Sequence, residues 1–129
     1  MHEVRIDKEK NRLYLVLERL DSAAEITEVG DKIRVACESL QQGFTCLTDM
    51  RNYELLDKDL EVYIQGVQKF LVQAGMSRVV RVVRRFDRWG HLQFDRSSMG
   101  IGYHAQNVNS IEEALAILDG DDDEVRDEY

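Results

Sequence analysis

Apolar residues alternate with polar ones over the first twenty positions, and the spacing then becomes helical. Val4 and Ile6 alternate within 3–7, and Leu13, Leu15 and Leu17 alternate with Tyr14 and Val16 within 12–18, which predicts two strands joined by Lys8-Glu9-Lys10-Asn11. Asp21-Ser22-Ala23-Ala24-Glu25 then supplies a helix start, with Glu three positions after Ser22. Ile26, Val29, Ile33, Cys37 and Leu40 step by three and four toward Gly43. A short apolar run over 44–48, stopped by Asp49-Met50-Arg51-Asn52, predicts a third strand. Tyr63, Val67, Phe70, Leu71 and Ala74 predict a second helix over 57–75. The β-branched stretch 78–84 predicts another strand. Ser110 with Glu113 opens a last helix carrying Ile111, Ala114, Leu115 and Leu118, preceded by a short strand. Residues 86–103 follow no single period.

Strands separated by helices imply an α/β class, because parallel neighbours need crossover connections. The expected architecture is a single domain over 1–118 with a mixed, mostly parallel sheet of four to five strands and crossover helices mainly on one face. The chain has no proline, no Gly/Ser tract and no internal repeat, so it offers no linker. Residues 119–129 hold seven acids against Arg126 and are expected to form a solvated, mobile tail.

The element order, the strand-end Asp49 leading into an apolar helix, and the closing Gly102-Tyr103 to Ser110-Ile111-Glu112-Glu113-Ala114-Leu115 resemble the STAS family. That family includes anti-sigma-factor antagonists of the SpoIIAA-like type and the cytoplasmic domains of sulphate transporters. The resemblance covers roughly residues 3–118. It implies a regulatory, non-enzymatic module that binds another protein or a second copy of itself. It places the partner-binding edge at Asp49, Arg51, Asn52, Asp57 and Asp59. Family members of this type carry a phosphorylated serine at the start of the helix after the central strand. The matching stretch here is Leu55-Leu56-Asp57-Lys58-Asp59, with no hydroxyl residue, which puts a phosphorylation switch in doubt. A carboxylate there is favoured by the helix dipole, either as an N-cap or as a fixed negative charge. With the helices on one side, alternation points Tyr14, Val16, Val79, Arg81 and Val83 to the other, as a dimer or partner face. A late helix folding over that face is an equally simple structural alternative.

Composition narrows the chemistry. Leu, Ile, Val and Phe make up 37 of the 129 residues, enough for a core, and 17 Lys+Arg against 25 Asp+Glu give a formal charge of −8. The pI near 4.9 argues against nucleic acid. No apolar run approaches a membrane span and the start lacks the layout of a signal peptide, so a cytoplasmic, reducing location is expected. Arg78, Arg81, Arg84, Arg85, Arg88 and Arg96 face only Asp87 and Asp95 within 78–96. With Trp89 and Phe94 they suggest an alternative pocket for a small amphipathic anion or lipid, built on Arg84, Arg85, Arg88, Trp89 and Phe94. Gly100-Ile101-Gly102-Tyr103-His104-Ala105 matches a dinucleotide-binding spacing, but no helix begins within its glycines, so it reads as a turn. Asp119, Asp121 and Asp123 lack the later ligands of a calcium loop. Cys37 and Cys46 sit at apolar positions and read as buried small hydrophobes, and His2, His91 and His104 have no nucleophile beside them. The expectation is no catalytic residue, no metal and no cofactor.

Overall fold

A computed structural model of the chain describes residues 2–55, 57–84 and 105–120. Strands β1 (Glu3–Asp7) and β2 (Arg12–Val16) form an antiparallel hairpin. Its turn closes through Asn11, whose φ of +53° is one that asparagine tolerates better than most residues. The Asn11 side chain then clamps a distant loop, donating to the Gln41 carbonyl at 3.1 Å and accepting from the Gln41 N–H at 2.8 Å.

Helix α1 (Ala23–Cys37) follows a two-residue strand β3 (Arg19–Leu20) and leads to β4 (Thr45–Asp49). A short strand β5 (Glu54–Leu55), a 3₁₀ turn (Lys58–Leu60) and α2 (Glu61–Gln73) lead to β6 (Arg78–Val82). Strand β7 (Ala105–Val108) and α3 (Ile111–Gly120) complete the described elements. The main sheet has the order β1-β2-β4-β6-β7. It is mixed: β1 runs antiparallel to β2, whereas β2 with β4, β4 with β6, and β6 with β7 are parallel. The small parallel pair β3–β5 has no counterpart in the pattern reading, since two residues are too few to show a period.

Register assigns each face. Leu13, Cys46, Val79 and Ala105 lie side by side, as do Leu15, Thr48, Arg81 and Asn107. This face packs beneath α1 and α2, against Ile26, Val29, Ile33, Ile64 and Leu71. The alternate row, Tyr14, Leu47 and Val80, with Val82 beyond, packs beneath α3 around the fully buried Ala114. Helices therefore cover both faces, because α3 folds back over the side that α1 and α2 leave open.

Two expectations are corrected by this arrangement. Val79, Arg81 and Val83 were expected to face away from Leu13 and Leu15, but they lie on the same side and are all buried. The predicted outer face is thus divided, with Tyr14 and Val16 on the α3 side and the other three under α1 and α2. The cause is that Val79, Val80, Val82 and Val83 are all buried, so the alternation carries no signal of which side is outermost. The second correction concerns the boundary at 118: α3 runs on to Gly120, and Asp119 is bonded into the domain. Residues 121–129 lie outside the described residues, as do 85–104. No described helix is long and apolar enough to cross a membrane.

Candidate functional site: the carboxyl ends of the parallel strands

Strands β2, β4, β6 and β7 end on one side of the sheet, at Val16, Asp49, Val82 and Val108. In open α/β sheets this is the side where loops are free to vary and recognition groups collect. The loop after β4 is held from below. Met50 donates its N–H to the Val82 carbonyl at 2.8 Å, Tyr53 closes back on Met50 at 3.1 Å, and both side chains are buried. Arg51 and Asn52 between them are left at the surface.

Asp49 and Arg51 form a two-pronged ion pair there. Arg51 Nε and Nη2 donate to the two Asp49 carboxylate oxygens at 2.9 and 2.8 Å, and the Arg51 N–H adds a third bond at 3.1 Å. The guanidinium holds the Asp49 carboxyl below its usual range, against the opposing effect of partial burial. Arg51 is raised in turn, chiefly by Asp49 and further by Glu112 in the first turn of α3. The edge thus extends across the sheet from the β4 loop to the start of α3.

Asp57 and Asp59 stand further along the same connection. Asp57 caps the 3₁₀ turn, accepting from the Asp59 N–H at 2.9 Å, and both side chains are exposed. The N-cap role expected of Asp57 is therefore present. The structure joins Asp49 with Arg51 at the end of β4 and leaves Asn52 exposed beside them, whereas Asp57 and the Asp59 N–H form a separate cap beyond β5.

Near this edge polar side chains are buried as well, among them Arg81, which alternation points to the outer face. Arg81 is 1% exposed, and Tyr53 and Gln68 are buried as well. Burial pushes the Tyr53 phenol up, Glu61 pushes it further, and Arg81 opposes both. Tyr53 thus feels both Glu61, at the start of α2, and Arg81 of β6. An arginine within a valine run reads as the solvent face of a strand, whereas the register sets Arg81 on the covered face beside Thr48.

Other chemistry is sparse among the described residues. No group of three His, Cys, Asp or Glu side chains is placed to hold a metal ion. Burial pushes the Cys37 thiol up to about 11 and the Cys46 thiol to about 12, so neither is a ready nucleophile at neutral pH. His2 is a structural group: its Nδ1 accepts from the Glu18 N–H at 3.2 Å, which leaves Nε2 to donate to Glu25 at 2.8 Å. A small apolar cavity of ≈ 30 Å³ between α1, α2 and the sheet is too small for a lipid or nucleotide. Of the alternative anion pocket, Arg84 is described and exposed, while Arg85, Arg88, Trp89 and Phe94 lie outside the described residues, as does the glycine turn at 100–104. Compared with protein-family models the sequence matches none, and no curated protein matches it significantly.

Proposed function

We propose that this chain is a non-enzymatic, cytoplasmic regulatory module of the STAS type, which docks another protein at the carboxyl ends of its parallel strands. The order of elements supports the reading. So does the position of the acidic caps, at the start of the helix that follows β4. The observation that carries it is the Asp49–Arg51 fork. A bidentate pair held at an exposed loop, with Glu112 beside it, offers a directional charged contact on a rigid base.

Asp57 supports a docking mode without a phosphorylation switch. It caps the 3₁₀ turn that leads into α2, within the stretch 55–59 that matches where the resembling family places a phosphorylated serine, and offers a carboxylate there in place of a hydroxyl. The module then acts in one standing state, regulated by partner abundance.

The test is affinity capture from cells of origin with quantitative mass spectrometry, comparing the wild type with Arg51→Glu and Asp57→Lys. Any protein enriched on the wild type is then purified and titrated by calorimetry against all three. A partner whose affinity falls at least tenfold with Arg51→Glu supports the reading. Equal affinity for wild type and both variants overturns it.

A further inference from the structure

Helix α2 carries Gly66 near its middle, where a Cβ would meet nothing within 4 Å. Glycine is among the poorest residues for a helix interior, and among the described residues nothing closely approaches this one. It stands over an open groove of ≈ 230 Å³ between α1 and α2, lined among others by Thr27, Gly30, Arg34, Val62 and Tyr63. The large apolar residues exposed among those described are Val35, Val62 and Tyr63, at 65, 62 and 45%, and all three belong to these two helices. A bare glycine beside exposed apolar side chains leaves room for another helix to come close.

We infer that the occupant is a second copy of this chain, with α2 of each copy packed antiparallel across a two-fold axis at Gly66. Two observations select a copy of itself. The stripe is balanced about the glycine: Val62 and Tyr63 precede it by four and three positions, and Lys69 and Phe70 follow it by three and four. An antiparallel partner sets each pair against the other, Val62 toward Phe70 and Tyr63 toward Lys69. Charge is also self-complementary. Asp57, Asp59 and Glu61, with Lys58 among them, leave the start of the helix net acidic, and no acid occurs from 62 to 77, where Lys69 is the one charge. Two antiparallel copies bring Lys69 of each toward the acidic turn of the other, and their helix dipoles oppose favourably. Phe70 is held within its own chain by the Arg34 guanidinium, 5.0 Å from the ring centroid and inside the cation–π range of about 6 Å. The two glycines at the axis let the helices approach closer than the usual 8–10 Å.

This inference shares the acidic turn at Asp57 and Asp59 with the proposed docking edge, but its tests at Gly66 and Tyr63 lie outside that edge. Sedimentation velocity of the full chain from micromolar to millimolar concentration tests it, alongside Gly66→Gln and Tyr63→Asp. Dimers are expected for the wild type, and both variants should stay monomeric over the same range. Gly66→Gln should also raise the melting temperature at dilution, since glutamine is a better helix former and its site is open. Gly66→Cys, on the axis, should give a covalent dimer on mild oxidation with oxidised glutathione. A wild type that remains monomeric at millimolar concentration overturns the inference, as does a dimer that persists in both Gly66→Gln and Tyr63→Asp.

Discussion

Arg12 of β2 meets Asp119 of α3 at 2.8 Å, tying the second strand to the last turn of the final helix. The Arg12 side chain is 4% exposed, and its other nitrogens donate to Thr45 Oγ1 at 3.2 Å and the Tyr14 hydroxyl at 3.3 Å. Lys10 reaches the same carboxylate at 3.2 Å. Asp119→Ala leaves a buried guanidinium without its acid and should lower stability by about 1 kcal/mol, the partial exposure of Asp119 keeping the loss small. Urea denaturation checks this. Glu28→Ala, which removes an exposed helix pair with Lys32, should change stability by under about 0.5 kcal/mol.

The same pair gives a pH dependence. Arg12 first, and then Lys10, holds the Asp119 carboxyl below its ordinary value. The unfolded chain therefore takes up this proton at higher pH than the folded one. The contribution is complete above the usual carboxylate range and is lost as pH falls through about 4 and below. Stability curves of the wild type and Asp119→Asn should converge toward low pH and separate above about pH 5.

Two loop glycines should differ in their response to alanine. Gly75 has φ +102°, and an added Cβ would meet Gln42, its Cα included, at 2.9–3.1 Å. Gly43 has φ +90° with open space around it. The two are neighbours, joined by the Gly43 N–H to the Gly75 carbonyl at 2.7 Å. Gly75→Ala should cost about 2–3 kcal/mol, from strain and collision together, and Gly43→Ala about 1 kcal/mol from strain alone. Paired thermal melts decide between this and equal losses.

The capping boxes give a simpler expectation. Ser22 and Ser110 each accept from the N–H three residues on, at 3.1 Å, and Glu25 and Glu113 reach back to Asp21 and Asn109. The Glu25 carboxyl is held below its usual range, first by the Asp21 N–H and then by His2. Ser22→Ala and Ser110→Ala should each lose about 1 kcal/mol in denaturation experiments.

The two thiols should label in sequence. Cys37 is half-buried at the end of α1, whereas Cys46 is fully buried and bonded to Thr48 at 3.4 Å. At pH 8 Cys37 should react about two orders of magnitude more slowly than a free thiol. Cys46 should react only when denaturant opens the sheet. Equal labelling rates in native buffer would contradict the packing described.

These elements divide by how local their cause is. The capping boxes, the hairpin and the buried Leu13-Leu15-Leu17 row were legible because each depends on residues a few positions apart. The phase of β6 was not legible. A strand covered on both sides carries valine at consecutive positions, and Arg81 then stood out as the apparent solvent face. Nor does an amphipathic helix announce which side of a sheet it will cover, and α3 chose the side left open. At the candidate edge, Asp49 and Arg51 were legible as residue types at a strand end, but their pairing follows from the burial of Met50 and Tyr53. The groove at Gly66 left only a faint signal, a glycine inside a helical period, because its meaning depends on α1 lying alongside.

The position of α3 also bears on how the chain is made. Leu47, Val80 and Val82 form their apolar row before the helix that covers them has been synthesised, since α3 follows every strand in the sequence. At ribosomal rates the interval from Val82 to Ile111 is roughly a few seconds, during which a row of aliphatic side chains stands open on the nascent domain. That interval is when a chaperone, or another emerging copy, has access to a surface which the finished protein keeps closed.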